Sequence, residues 1–403
     1  MFEKIEKGNI PILSWCPDVE EKCLEQATNL SNHPAITHVA LMPDAHMGYG
    51  MCIGGVIACK NAVIPNAVGV DIGCGMGYVL TNVDADIISK EVLREMINVI
   101  KKVVPTGFNK HKEPQDWARW DSAPDIDIIQ ENIENASYSL GTLGGGNHFI
   151  ELQKVVSGEN EGKLAIMLHS GSRNLGKVIG DCYNDKAKVL GHQYHSKVDP
   201  AWGLDFLPVD SIEGAEYIEA MNFALDFAQE SRRLMMERTK NVVFNLIAKR
   251  IGKVSTAILN EVNIHHNYAS LENHMGKNVW VHRKGAIRVD EGIAGIIPGS
   301  QGTASYIVEG LGNIQSLKSA SHGAGRKKGR MDASRTITLE EAEKSMEGIV
   351  HDRWNKITRG KMKGLHDFGE APQAYKDIDE VIENEKDLVS VTEKVMPIAC
   401  LKG

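Results

Sequence analysis

Between Asp44 and Gly77 the chain carries Gly48, Gly50, Gly54, Gly55, Gly69, Gly73, Gly75 and Gly77, separated by the short apolar segments Ile53–Cys59, Ala62–Ile64 and Ala67–Val70. Segments this short suit buried strands better than helices. A loop-and-strand core is expected here, with a main chain free to take backbone angles closed to other residues. Within it, Val68-Gly69-Val70-Asp71-Ile72-Gly73-Cys74-Gly75-Met76-Gly77 sets a carboxylate and a thiol three residues apart. Carboxylates suit hard cations and thiolates soft ones, so a shared site points to a borderline transition metal. A tight turn around a buried, inert cysteine fits the same residues. The rest of the chain has to decide.

A length of 403 residues accommodates one large domain or two to three average ones. The hydrophobic share of 42% and charged share of 24% are ordinary for a soluble globular chain. A net charge of -8 argues against wholesale attraction to nucleic acid, so any polyanion site must be a local basic patch. The cysteines at 16, 23, 52, 59, 74, 182 and 400 are odd in number and scattered, with no CxxC pair, which is no disulfide framework. Met1–Lys7 lacks the apolar core of a signal peptide, and no apolar run is long enough to span a bilayer. A reduced, cytoplasmic protein without a membrane partner is expected, and a monomer.

Periodicity divides the chain into helices and strands. Asp18–Leu30 reads as a short surface helix and Ile36–Met42 as a strand. Ile88–Val104 is amphipathic, with Ile88, Val92, Leu93, Met96, Ile97, Ile100 and Val104 on one stripe and Pro105 to end it. Phe108–Pro124 is a polar, flexible excursion, and Ile126–Tyr138 a helix leading into the loop Gly141–Asn147. Phe149–Val156 and Leu164–His169 flank Ser157–Gly162 as a hairpin. Leu175–Leu190 is helical, Gly191–Pro208 irregular, and Ile212–Ile251 a long helical segment with room for one break. Asn278–His282 and Ala286–Val289 are strands, Ile296–Gly312 is Gly-rich strand and loop, Ile337–Met346 a helix, and Val395–Leu401 an apolar tail. The whole reads as one α+β domain over residues 1–403, β-rich around its glycine loops, with a helical insertion at about 174–275.

Histidines recur beside Gly, Asn or Ser: His46, His148, His169, His265, His266 and His322. Singly, each is an ordinary hydrogen-bonded residue. Together with Asp71 and Cys74 they supply imidazole, carboxylate and thiolate enough for two metal ions. Mn²⁺ and Zn²⁺ suit that mixture, with Mn²⁺ favoured where carboxylate and phosphate oxygens complete the shell. Gly144–Asn147, Pro298-Gly299-Ser300-Gln301-Gly302 and Gly323–Gly325 can present backbone N–H groups to an anion, and no P-loop motif is present. Arg326, Lys327, Lys328 and Arg330, directly after Ser321-His322-Gly323-Ala324-Gly325, form a local basic patch suited to a polyanion. His322 lies between that loop and the patch, where a metal ligand, a general base and a nucleophile toward phosphorus are all open roles.

The segments Met42-Pro43-Asp44-Ala45-His46, Val70–Met76, Gly146-Asn147-His148-Phe149-Ile150-Glu151, Leu168-His169-Ser170-Gly171-Ser172-Arg173, His265-His266-Asn267, His282–Ala286, Pro298-Gly299-Ser300, Ser321–Arg326, Ala374-Tyr375-Lys376-Asp377 and Leu401-Lys402-Gly403 resemble, in that order, the RtcB-type RNA ligases. These are GTP- and manganese-dependent enzymes of tRNA splicing and RNA repair, and the resemblance runs from about Met42 to the last residue. It implies that Cys74 bridges two Mn²⁺ ions, one completed by Asp71 and His148 and the other by His169 and His266. It makes His322 the nucleophile that takes GMP from GTP. Asn147, Pro298–Gln301 and Ser305 would hold the triphosphate or nucleoside, with His148, Phe149, Ile150, His266, Asn267, Gly323, Ala324 and Gly325 also at the nucleotide. Glu151 and Lys402 would read the guanine edge, and Tyr375 would stack on it. Arg173, Arg283, Lys284, Arg326 and Arg330 would meet RNA. The implied reaction joins an RNA 2′,3′-cyclic phosphate or 3′-phosphate end to a 5′-hydroxyl end. Asn174, Gln301 and Gly329 depart from the usual pattern, in nucleotide and RNA loops and not in the metal set. The same residues would also serve a two-metal phosphoesterase or a non-catalytic RNA-end-binding protein.

Overall fold

A computed structural model describes all residues except Phe2, Lys253 and Arg359, and Lys361 in its backbone alone. The fold is α+β, as expected, and rests on two large sheets. The six-stranded sheet has the order Glu3–Ile5, Ile12–Ser14, Ile36–Tyr49, Met51–Cys59, Lys277–Lys284, Asn267–His274. The seven-stranded sheet runs Ile258–His265, Gly75–Asp84, Lys163–Ser170, Phe149–Ser157, Val389–Lys402, Ser305–Gly310, Ala294–Ile297. Ile258–His265 and Asn267–His274 are separated by His266 alone yet belong to different sheets. His266 is therefore the hinge between them.

Trp15, Met42, Val56, Val281, Ile287, Ile297, Tyr306 and Val308 fill one core with side chains from both sheets. The outer face of the seven-stranded sheet is covered by the helices Lys90–Val103 and Ile212–Arg250, whose Ile97, Ile100, Met235, Met236, Val243 and Ile247 pack on Ile150, Leu152, Leu164, Ile166 and Leu168. Ile212–Arg250 is continuous over 39 residues, without the break its length allowed, and starts where Ser211 accepts from the Gly214 N–H. No helix among the described residues is long and apolar enough to cross a membrane. All seven cysteines are free.

Several local expectations are corrected. Ala67–Val70 is not a strand: Pro65, preset for a first helical turn, opens the helix Pro65–Val68, and Gly69 at φ 89° ends it. Ile126–Tyr138 divides into Asp127–Gln130 and Ile133–Ser137. Ile337–Met346 begins at Leu339, because Thr338 and Glu341 form a capping box there. Phe108–Pro124 is irregular but anchored. Its Trp117 and Trp120 rings lie 4.9 Å apart and 5.4–6.3 Å from Phe223 and Phe227 on the long helix, contacts worth about 0.5–1.5 kcal/mol each beyond area burial. The helical content between 174 and 275 stops at Arg250, after which the chain contributes strands to both sheets.

Candidate active site

Three adjacent strands deliver the central donors. Cys74 precedes Gly75–Asp84, His148 precedes Phe149–Ser157, and His169 is the penultimate residue of Lys163–Ser170. Pairing sets Met76 and Phe149 opposite His169 on its two sides, which brings the three side chains to one end of the sheet. The His266 N–H donates to the Cys74 carbonyl at 2.8 Å. Two glycines make the approach possible. A Cβ on Gly75 would stand 2.0 Å from the Ile264 carbonyl oxygen, and one on Gly171 would stand 2.3 Å from Asp71 Oδ1.

Cys74 Sγ lies 3.4 Å from His148 Nε2 and 3.2 Å from His169 Nε2. Asp71 Oδ2 is 3.4 Å from His148 Nε2, and His169 Nε2 is 2.9 Å from His266 Nε2. The five donors thus form two arms, Asp71–His148 and His169–His266, with one sulfur between them. The ring tautomers follow from what faces Nδ1. That atom meets the Leu143 carbonyl in His148 (3.0 Å), the Asn147 carbonyl in His169 (3.2 Å) and Asn267 Oδ1 in His266 (3.2 Å). Each of these can only accept, so Nδ1 carries the proton. The Nε2 lone pairs of His148 and His169 face the sulfur and that of His266 faces His169 Nε2, with Nε2 left free as in metal-binding histidines.

Burial, with neighbouring imidazole charge, pushes His169 and His266 well below the usual histidine range. Two neutral nitrogens 2.9 Å apart repel unless a cation lies between them. Burial, and then Asp71, pushes the Cys74 thiol well above its ordinary value, a tendency a divalent cation inverts. The donor set therefore fits a metal. Arg232, from the long helix, supports it from below: its Nη1 donates to the Gly73 and Ser170 carbonyls (2.8 and 2.9 Å), and its Nε to Asn263 Oδ1 (2.7 Å).

His322 follows the short strand Ser319–Ser321, and its ring centre is 4.8 Å from that of His266. Its Nδ1 is 2.6 Å from Asp44 Oδ2, and its backbone N–H donates to the same oxygen at 3.2 Å. Asp44 is completely buried. Nδ1 is thereby committed as a donor, which leaves the Nε2 lone pair for the adjoining cavity of about 190 Å³.

Asn147, Phe149, His169, Pro298–Gln301, His322–Arg326, Arg330, Tyr375 and Lys402 all line that cavity. Other expected site residues lie elsewhere. Ile150 is core, and Ser305 sits behind the wall, where its Oγ accepts the Gly299 N–H at 3.1 Å. The Ser300 N–H goes to Thr303 Oγ1, so these two loop amides are turned inward and not offered to an anion. Glu151 is 2% exposed and accepts from Gln153 Nε2 at 2.8 Å; burial pushes it up to about 7. Arg283 and Lys284, expected at RNA, are interior. Arg283 pairs with Glu272 at 2.5 Å and donates to the Leu317 carbonyl, while Lys284 Nζ is capped by the Tyr49 and Asn66 carbonyls. Charges so committed are costly to withdraw. Arg173 is half-buried, holding the Gly107 carbonyl at 2.7 Å.

Asp44, Arg232 and Glu370 are site residues to which the sequence reading gave no role, and His46, counted there only among the recurring histidines, lines the cavity. Only Asp44 and His46 carried a signal, inside the Met42–His46 segment.

The sequence model described as tRNA-splicing ligase RtcB matches residues 26–123 and 115–403. This chain belongs to the RtcB family. It is similar over its full length to the RNA-splicing ligase RtcB of Escherichia coli K12, at 35% identity with 100% of each chain covered. It is 30% identical to the tRNA-splicing ligase RtcB of Methanococcus maripaludis, over 96% of this chain and 92% of that protein. The RNA-splicing ligase RtcB homolog 1 of Entamoeba histolytica is also 30% identical, over 94% and 83%. The RtcB family resemblance thus extends across bacterial, archaeal and eukaryotic proteins.

Proposed function

We propose that this protein is an RNA ligase that joins 2′,3′-cyclic phosphate or 3′-phosphate ends to 5′-hydroxyl ends, with GTP as the activating nucleotide and two Mn²⁺ ions. The observation that carries this reading is His322, with Nδ1 held by a buried carboxylate and Nε2 left for the cavity. An imidazole so fixed is a nucleophile in a single tautomer.

Asp71 and His148 would hold one ion and His169 and His266 the other, with Cys74 shared. Bound there, the ions would neutralise phosphate oxygens and orient them. In the first step His322 Nε2 attacks the α-phosphorus of GTP; an N–P bond forms and pyrophosphate leaves. Asp44 balances the positive charge that then builds on the imidazole and keeps the ring from rotating. In the second step the RNA 3′-phosphate oxygen takes the guanylyl group, breaking the N–P bond and returning the lone pair to His322. In the third the RNA 5′-hydroxyl attacks the 3′-phosphorus, forming the 3′,5′-phosphodiester and releasing GMP. A cyclic phosphate is first opened by water. Asn147, Phe149, Gln301, Tyr375 and Lys402 would enclose the nucleotide, and Arg326 and Arg330 would receive RNA phosphate.

A stem-loop RNA cut to leave 2′,3′-cyclic phosphate and 5′-hydroxyl ends tests the reading. Joining that depends on GTP and Mn²⁺ supports it. Cleavage or end hydrolysis without joining supports a two-metal phosphoesterase instead.

A further inference from the structure

The cavity beside His322 and a second one of about 240 Å³ share four lining residues: Gln301, Arg330, Glu370 and Lys402. Their common wall is organised by one carboxylate. Glu370 accepts from Arg330 Nε at 2.9 Å, Arg326 Nη1 at 3.3 Å and the Tyr375 hydroxyl, and lies 3.8 Å from Lys402 Nζ. Gln301 Nε2 donates to its backbone carbonyl at 2.7 Å, and the Arg326 guanidinium stands 5.0 Å over the Tyr375 ring. Burial pushes the Glu370 carboxyl up, but Lys402, Arg330 and Tyr375 outweigh burial and hold it below the usual range. The three cations that an incoming phosphate would meet thus already share one internal anion.

We propose that Glu370 is a displaceable counter-anion that selects terminal phosphates: it occupies Arg326, Arg330 and Lys402 in the free site and yields them only to an anion of higher charge. The proposal rests on the reading of this site as one that processes RNA phosphate ends. Its physical basis is ion exchange. Cations that lose one partly buried partner and gain another are never left unpaired, so the large cost of an uncompensated charge does not arise. A terminal phosphate is close to dianionic at neutral pH and offers three acceptor oxygens. An internal phosphodiester carries one charge and two free oxygens, which gives it no advantage over a carboxylate already seated. Glu370 would therefore penalise internal backbone more than a 3′-phosphate end, and would return to its cations when product leaves.

The test uses the full-length protein with Mn²⁺, and a short fluorescent RNA ending in 3′-phosphate or 3′-hydroxyl. Inorganic tripolyphosphate, titrated by calorimetry, serves as a probe that needs no ligase activity. Wild-type protein should prefer the 3′-phosphate end. Glu370→Gln should bind the 3′-hydroxyl RNA and tripolyphosphate ~5-fold or more tighter, with a steeper salt dependence from the released cations. Its preference for the phosphorylated end should fall toward unity, a ratio that a merely structural role would leave alone. Unchanged or weaker binding of all three ligands by Glu370→Gln would overturn the proposal. Should that variant not fold, Glu370→Asp, which keeps the charge but shortens its reach, should show the same changes in smaller measure, and wild-type values there would overturn it. Tighter tripolyphosphate binding by the variant, beside a wild type indifferent to RNA ends, would retain the counter-anion and remove its RNA role.

Discussion

His322 Nδ1 and Asp44 Oδ2 lie 2.6 Å apart although 278 residues separate them in the chain. The contact joins the strand Ile36–Tyr49 to the residue after Ser319–Ser321. A Cβ on Gly325 would come within 2.4 Å of the Asp44 carbonyl, so these segments are packed without slack.

Asp44→Asn keeps the shape of that contact but adds an N–H donor, which favours the imidazole tautomer with its proton on Nε2. Guanylylation of His322 should slow by roughly 10²–10⁴-fold while GTP affinity stays near wild type. Single-turnover transfer from labelled GTP measures the first and equilibrium binding the second. Equal losses in both would assign Asp44 to nucleotide binding instead.

Cys74 is the one donor within 3.4 Å of both histidine arms. Cys74→Ala should therefore deplete both metal positions, and not one. Elemental analysis of Mn²⁺-loaded, desalted protein reads this directly. A variant that still carries two ions per chain would contradict the shared sulfur.

Glu385 accepts the Ser321 N–H at 2.9 Å in full burial, next to the Asp44–His322 pair. Burial, with the Asp44 charge adding to it, pushes its carboxyl up to about 8. An unfolded Glu titrates near about 4.3. Between those values the folded state keeps a proton that the unfolded state has released. The stability this group contributes is fully present below about 4.3 and is lost as pH rises toward 8, by at most about 1.4 kcal/mol per pH unit. Glu385→Gln is neutral at every pH, so its melting temperature should fall less than the wild type's between about pH 5 and 8. Parallel curves would show that Glu385 is ionised in the fold.

The residues that cluster at the sheet end were legible because each sits beside a small or polar residue at the end of an apolar segment, as Cys74 does after Gly73 and His148 after Asn147. The supporting residues were not, for reasons of distance and pattern. Arg232 lies on a helix otherwise explained by its apolar contacts, and only the fold shows it reaching the Gly73 and Ser170 carbonyls. Ile258–His265 was not read as a strand although Glu261–His265 alternates polar and apolar; at a sheet edge none of its residues is fully buried, and its first four, Ile258-Leu259-Asn260-Glu261, do not alternate. The resemblance set Arg283 and Lys284 at RNA, but sequence shows a charge without its partner; in the fold Glu272 and two carbonyls engage them. The pair Asp71–Cys74, readable alone as an inert turn, takes its meaning from His148, His169 and His266, which arrive from three other parts of the chain.

The central claim is that His322 is the nucleophile. Incubation with GTP labelled at the α-phosphorus and Mn²⁺, followed by denaturation, should leave label on the protein that is labile to acid and stable to alkali, as a phosphoramidate is. The label should be lost in His322→Ala. No label under any metal, or undiminished label on His322→Ala, would contradict the account.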